Sequence, residues 1–454
     1  MEPAIYNGQK GSIKPATVIM KKILFFFEKL KATFWFVPAL IIIITILISI
    51  IVVTIDQGIK IPKEGLNQLF FVNSADSARS ILTTISAAMI GVAGTVFSIT
   101  LVALTLASSQ FGPRLIRNFM YVRLNQIVLG SYVSTYLYCL FVLNAIKDND
   151  GYTFIPKLSI LLAIIAAFTN IILLIVFIHQ IATSIQADKV ISDISQIIST
   201  QVKTLFPENM GDEFEDEKRV NADAIKSRYT HTKLIKSHKN GYFQYIDNES
   251  LLEEIQNIDG LLELYFKPGD HLVEGINIGK LYTNKDIDDE QYDDISDNFV
   301  IGNTKSSQQD LQFSIYQMVE IASRALSPGV NDPFTAITCI DNLTATMCRL
   351  AQANYPSNYR VDKNDVLRII TENLEFEDFL DASFNQIRQY SAGNTAVVIK
   401  LMDGLTTISV FAKKDAYKKA LVKHAKMVLN VGKQSLNEVN DFKNLEERSK
   451  KIMS

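Results

Sequence analysis

Residues 81–119, ILTTISAAMIGVAGTVFSITLVALTLASSQFGPRLIRNF, decide how the rest of the chain is read. From Ile81 to Ser108 there is no charged side chain, and about 20 helical residues are enough to cross a bilayer core. Thr84, Ala87, Gly91, Gly94, Thr95, Ser98, Thr105 and Ser109 recur at spacings of three and four, so they share one helix face. That face is small and hydroxylated, whereas Ile90, Phe97, Leu101, Leu104 and Leu106 make the remainder bulky and apolar. Small residues let membrane helices approach, and hydroxyls bond across them. The same hydroxyls would also suit a water-filled path, because polar groups at membrane depth face a bundle interior or a cavity. Thr84, Gly91, Thr95, Ser98, Thr105 and Ser109 are therefore pore-lining candidates, together with Asn170 of a later span.

Working outward, the 454-residue chain calls for more than one domain. Residues 1–180 are very apolar and the remainder has the composition of a soluble protein. A net charge of −3 gives no electrostatic case for nucleic acid. Cys139, Cys339 and Cys348 form no spaced motif, so neither a disulfide framework nor a metal site is expected. The N-terminus does not read as a cleavable signal, because its basic segment runs into a span too long for a signal core.

The expected membrane part is a four-helix domain over 34–180, with spans at about 34–55, 81–108, 125–146 and 158–178. Residues 1–33 form a basic N-terminus with Lys10, Lys14, Lys21, Lys22, Lys29 and Lys31 against Glu2 and Glu28. Within it MKKILFFFEKLK (20–31) suits either a helix lying on the membrane surface or the basic flank of the first span. Trp35 and Pro38 fit the first turn of that span, and Asp56 ends it. After the second span, 110–126 carries Arg114, Arg117 and Arg123 without any acid, and Gly112–Pro113 breaks the helix. Four spans put both termini on one side, and both basic segments fall there, so that side is expected to be the cytoplasm. Spans two to four hold no ionisable carboxylate, amine or imidazole before His179, which disfavours a proton-coupled carrier. It does not disfavour a channel lined by hydroxyls and backbone.

The second half reads as α+β. His179 to Phe206 continues the fourth span as an amphipathic helix and, with an acidic linker, makes a connecting segment over 181–220. Residues 221–305 read as a small β-rich domain, with strands at 241–246 and 261–266, a strand pair over 271–281 around Gly275 and a strand at 298–301. Residues 306–454 read as a helical domain, with helices near 308–326, 334–350, 363–390, 394–412 and 415–450. Lys285 to Asp297, KDIDDEQYDDISD, is expected as a solvated acidic loop, since the calcium-loop pattern is not met. Ser327–Pro328–Gly329–Val330–Asn331–Asp332–Pro333 is expected as a rigid turn, with Asp332 capping the next helix and Pro333 opening it. PGDHLVEG (268–275) resembles the hairpin of biotinyl/lipoyl-type barrel-sandwich domains, but the carrier-lysine motif of those domains is missing. A structural barrel-sandwich-like domain is therefore expected.

There is no phosphate-cradling glycine loop, metal-ligand spacing or nucleophile elbow. The histidines, His179, His231, His238, His271 and His424, are scattered. No enzyme activity and no cofactor are expected. SSQFGPRLIRNF (108–119), FIHQIATSIQA (177–187), GYFQYID (241–247) with PGDHLVEG, and QQDLQFSIYQMVEIASRALSPGVNDPFTAITCIDNL (308–343) together resemble a bacterial family of predicted integral membrane proteins, domain of unknown function 2254. The resemblance implies a multi-pass bacterial membrane protein and no settled activity. His179–Gln180 departs from the paired histidines associated with that family, which argues against a metal there.

Two functional expectations result. One is a homo-oligomeric, anion-leaning channel of the cytoplasmic membrane. Arg114 and Arg117 would form its cytoplasmic mouth, and its soluble half would gate it. The other is a membrane-anchored sensor or scaffold whose soluble half binds a ligand or partner. Membrane lipid is an expected partner in both, and nucleic acid in neither.

Overall fold

The computed structural model of the chain describes residues 33–58, 74–112, 123–149, 152–206, 221–307 and 309–453. The N-terminal lysines, Arg114, Arg117 and the acidic segment at 207–220 lie outside the described residues. The chain divides into two compact units, and Gln110–Gly112 and everything from Ala187 onward belong to the second.

The first unit is built on α1 (Phe36–Gly58), α2 (Ala75–Phe111), α3 (Arg123–Ala145) and α4 (Lys157–Ser184), all long and apolar enough to cross a membrane. α2 is longer than its uncharged core. It begins at Ala75, with Asp76 in the first turn, where a carboxylate complements the helix dipole. At 37 residues it measures about 55 Å, well beyond a hydrocarbon core of about 30 Å. α1 packs on α3 at Gly130, where an added Cβ would sit 2.9 Å from Pro38 Cα and 3.0 Å from Ile41 Cδ1. A glycine is what allows this backbone approach. Two apolar clusters fill the interior. One holds Leu82, Tyr138, Cys139, Val142 and Ile160, and the other Met89, Val96, Val128, Tyr132 and Phe177. Between α3 and α4, β1 (Lys147–Asn149) and β2 (Tyr152–Phe154) pair antiparallel.

The second unit mixes helices and sheet. After α5 (Ala187–Leu205) and the short α6 (Ala222–Lys226) come β3 (His231–Lys236), β4 (Gly241–Ile246), α7 (Asn248–Asn257), β5 (Leu261–Leu264), β6 (His271–Leu272), β7 (Asn277–Thr283), α8 (Asp289–Ser296) and β8 (Phe299–Gly302). Then follow α9 (Leu311–Ala325), α10 (Pro333–Leu350), β9 (Tyr359–Val361), β10 (Leu367–Ile370), α11 (Phe376–Tyr390), α12 (Thr395–Phe411), α13 (Asp415–Ser435) and α14 (Val439–Met453). A five-stranded sheet runs β3-β7-β5-β10-β9 and a three-stranded one β6-β4-β8. Ile235, Phe243, Leu251, Leu262, Leu281, Phe299 and Ile301 share one apolar core with strands from both sheets. The sheets stay open, so the structure supports a mixed α and β unit without a closed barrel.

Several segments differ from the reading of the sequence. The helix expected over 415–450 is two, α13 and α14. The expected helix over 363–390 starts only at Phe376, and Leu367–Ile370 is a strand parallel to β5. A four-residue run with Leu367, Arg368 and Ile369 all buried carries no period, so its partner decides its form. The acidic stretch expected as a loop contains α8, because Asp288 and Gln291 form a reciprocal capping box that starts a helix. The fourth span does not continue unbroken into the amphipathic helix. α4 stops at Ser184, where the hydroxyls of Thr183 and Ser184 bond back to the carbonyls of His179 and Gln180, and α5 restarts at Ala187. Phe206, just past α5, stands edge-on to Tyr355 and Phe379 and fixes that end of the helix in the second unit.

Candidate functional site

The packing of α2 sorts its circumference. Its buried line is Ala78, Leu82, Ser86, Met89, Ala93, Val96, Thr100 and Ala107. At 100° per residue, the stripe of Thr84, Gly91, Thr95, Ser98, Thr105 and Ser109 lies about 180° around the helix from that line. All six of these residues are exposed. An added Cβ at Gly91 or Gly94 would meet nothing within 4 Å. The hydroxyls donate to their own helix, Thr84 to the Ser80 carbonyl at 2.7 Å, Thr95 to Gly91 at 3.2 Å, Ser98 to Gly94 at 3.0 Å and Thr105 to Leu101 at 2.9 Å. Ser109 does the same to Leu106 at 2.9 Å. With its hydrogen turned inward, each hydroxyl presents lone pairs outward. Bulky Ile90, Phe97, Leu101 and Leu106 flank the stripe and are exposed as well.

Asn170, in the middle of α4, sits elsewhere. It is fully buried inside the bundle. Its carbonyl accepts from Ser131 at 2.6 Å, and its amide donates to Thr135 at 2.8 Å and to Met89 Sδ at 3.4 Å. Tyr132 donates to the Asn170 backbone carbonyl at 2.6 Å. The amide is thereby spent on three helices, the interhelical use of polar side chains in lipid.

A second polar knot closes one end of the bundle. Asp56, in the last turn of α1, is buried. It accepts from the backbone N–H of Leu158 at 2.9 Å, the N–H of Ser159 at 2.8 Å and the Ser159 hydroxyl at 2.6 Å. Pro156, in the N-cap position of α4, offers no side-chain cap, so Asp56 caps that helix from another one. Tyr138 adds a bond to the Ser159 carbonyl at 3.0 Å. In the sequence Asp56 reads only as the residue that ends a span. Nothing local points to a partner about a hundred residues away.

In the second unit the SPGVNDP turn takes the expected form. The N–H groups of Val330 and Asn331 bond back to the Ser327 carbonyl at 3.0 and 2.9 Å. Asn331 adopts φ +49°, a left-handed value that Asn tolerates. Asp332 caps α10 through the Thr335 N–H at 3.1 Å, with Pro333 in its first turn. The turn leaves Phe334 77% exposed. Gly112, which belongs to this unit, has φ +113°, and a Cβ there would collide with the Glu320 carboxylate. Within the second unit, Gly112 and the VEIASR stretch (319–324) are thus neighbours in space.

The structure also forms a groove that the sequence did not flag. α5 and α10 enclose about 400 Å3 between Ser192, Ser195, Ser199, Thr338, Asn342 and Arg349. Ile191 and Val202, from the buried side of α5, supply apolar lining. The Arg349 guanidinium reaches the Ser199 hydroxyl. The signal in the sequence was the serine spacing on the polar face of α5, which periodicity alone assigns to solvent.

The comparisons agree with the architecture. The profile of the predicted membrane protein family, domain of unknown function 2254, matches residues 31–407. Uncharacterized protein Mb1321c of Mycobacterium bovis is 31% identical over 353 residues, covering 76% of this chain and 66% of the relative. Uncharacterized proteins MT1328 and Rv1290c of Mycobacterium tuberculosis match to the same extent. The chain thus spans just under two thirds of these relatives' length. No solved structure matches it. With four apolar helices in place and most of its length matched, the chain belongs to the predicted membrane protein family known as domain of unknown function 2254.

Proposed function

We propose that the protein is an oligomeric ion channel of the bacterial cytoplasmic membrane, with both termini in the cytoplasm. The path runs between copies, along the small hydroxylated face of α2. The supporting observation is the direction of that face. It points away from its own bundle, whose interior is filled by apolar clusters and by the bonded Asn170, so among the described residues a single copy encloses no polar path. Lipid offers Thr and Ser little, whereas the matching face of a neighbouring copy, or water at a symmetry axis, accommodates them. In the bonded state described above, the hydroxyl oxygens suit cations. The anion preference therefore rests on Arg114 and Arg117, which follow α2 in the chain and would ring its cytoplasmic mouth.

Flux through the full chain in liposomes, with anion and cation replacement, tests this. Ser98→Leu should abolish flux while leaving the protein folded, since the site is exposed in the protomer. Arg114→Ala with Arg117→Ala should shift selectivity away from anions. Flux that is absent under every gating condition, or indifferent to Ser98→Leu, refutes the channel.

One observation favours a second reading, that of a membrane-anchored sensor. The α5–α10 groove offers hydroxyls, the Gln196 and Asn342 amides, the Asp188 carboxylate and one arginine in a volume fit for a small polar ligand. Under this reading some small polar compound raises the melting temperature of the full chain, and Arg349→Ala removes that rise. A compound panel without any such shift removes the reading.

A further inference from the structure

We propose that the outer face of α13 is a docking surface for an anionic lipid bilayer. From Lys413 to Lys433 the chain carries seven lysines, at 413, 414, 418, 419, 423, 426 and 433, against a single acid, Asp415. The helix sorts them cleanly. Ala420, Leu421, His424, Ala425, Val428 and Gly432 are buried. Lys418, Lys419, Val422, Lys423, Lys426 and Met427 line an open hollow of about 630 Å3 on the opposite side. At 100° per residue these six span about half of the circumference.

Lys423 is paired, with Glu377 at 2.6 Å. Among the described residues, no carboxylate pairs with Lys418, Lys419 or Lys426. Three unpaired ammonium groups on one rigid helix repel one another unless an anionic surface meets them.

The chemistry of the face favours a lipid surface over other polyanions. Val422 and Met427 are half-buried among the lysines. Val410, 79% exposed, and Phe411 end α12 immediately before Lys413 and Lys414. Apolar side chains interleaved with lysines suit the boundary between headgroups and acyl chains, where the long stems lie along apolar surface and the ammonium groups reach phosphate. The face contains no arginine, the side chain best shaped for bidentate recognition of nucleic-acid phosphate and bases. The unit is also joined through the chain to four membrane-crossing helices, so a bilayer is always present at high effective concentration. Each lysine near an anionic surface is worth about fivefold in partition, and the effect is screened by salt.

The test uses the full chain held in phosphatidylcholine nanodiscs, with a polarity-sensitive dye on Val422→Cys. The native cysteines Cys139, Cys339 and Cys348 are buried, which directs the label. Added vesicles are either pure phosphatidylcholine or phosphatidylcholine with roughly a third phosphatidylglycerol. The proposal expects a dye shift and co-flotation only with the anionic vesicles, both lost at high salt. The combined change Lys418→Glu, Lys419→Glu and Lys426→Glu should lower the partition by at least about 100-fold, the effect of losing three lysines alone. A matched reversal of Lys443, Lys450 and Lys451 on α14 should leave it near wild type.

Equal capture by neutral vesicles overturns the proposal, as does equal loss in both triple variants. Displacement by millimolar inorganic phosphate or glycerophosphoglycerol would make this a small-anion site and overturns it too. So would anionic capture that survives the α13 reversal. Circular dichroism of each variant checks that the exposed substitutions leave the fold intact.

Discussion

Replacing Asp56 with alanine removes the acceptor shared by three donors at the start of α4, the Leu158 and Ser159 N–H groups and the Ser159 hydroxyl. Losing a capping side chain costs about 0.5–2 kcal/mol. Losing a partly buried charge at a helix N-terminus adds up to about 2 kcal/mol. Pro156 offers no substitute cap, and the site is buried, so water replaces the carboxylate poorly. Asp56→Ala should therefore destabilise the protein by about 3 kcal/mol. Asp56→Asn keeps one carbonyl oxygen for the N–H groups and should cost about 1 kcal/mol, in the range of a single net hydrogen bond. Ser159→Ala removes only the hydroxyl and should cost about as much. Reversible unfolding of the full chain in mixed detergent and dodecyl sulfate micelles measures all three, and the double variant gives the coupling. The reasoning fails if Asp56→Ala lies within about 0.5 kcal/mol of wild type, or if Asp56→Asn costs as much as alanine.

Gly130→Val should separate α1 from α3, because its Cβ alone would press on Pro38 Cα at 2.9 Å. The expected loss is about 2–3 kcal/mol in the same unfolding assay, and Gly130→Ala should lose less. Asn170→Leu exchanges a bonded amide for an apolar side chain and leaves Ser131 and Thr135 to rebond locally. Its cost should be about 1–2 kcal/mol, with any channel selectivity unchanged in liposome flux. Burial holds the His424 imidazole below its ordinary range, with a smaller opposing pull from Asp381 at 3.0 Å and further depression from Lys423 and Arg388. A lowered folded-state value means that the unfolded chain binds the proton first. The stabilisation is thus complete above about pH 6.5 and is lost as pH falls through the folded value. Melting temperature should drop between about pH 7 and pH 5, and His424→Gln should flatten that drop.

The four membrane helices were legible because an uninterrupted apolar run of that length has few other uses. Their ends were less so. α2 begins at Ala75 on the strength of a polar first turn, which hydropathy does not register. In the SPGVNDP turn the capping Asp332 and the opening Pro333 were readable, since both are local chemistry, whereas the left-handed Asn331 was not read from the sequence. β10 was not readable, because Leu367–Ile370 is a strand by virtue of β5 and β9 on either side of it. The acidic stretch misled through its composition. Its charges face solvent, as expected, yet Asp288 still opened a helix. The stripe on α2 could be drawn from sequence, but not its direction. A helical wheel shows which residues share a face and is silent on which face meets a neighbour. Asn170 and the stripe looked alike for that reason, and packing separated them.

The parallel pairing of β5 with β10 has a consequence in time. Leu262 and Ile369 are neighbours in the sheet, with β6, β7, α8, β8, α9, α10 and β9 made between them. At synthesis rates of about 5–20 residues per second, the central strand of the sheet waits roughly 5–20 seconds for its partner. Throughout that interval one edge of β5 is open, and its apolar residues Leu261, Leu262 and Leu264 have no cover on that side. The segment emerging meanwhile includes Asp286, Asp288, Asp289, Glu290, Asp293, Asp294 and Asp297. Like charge on the nascent chain discourages edge-to-edge association between neighbouring ribosomes' products.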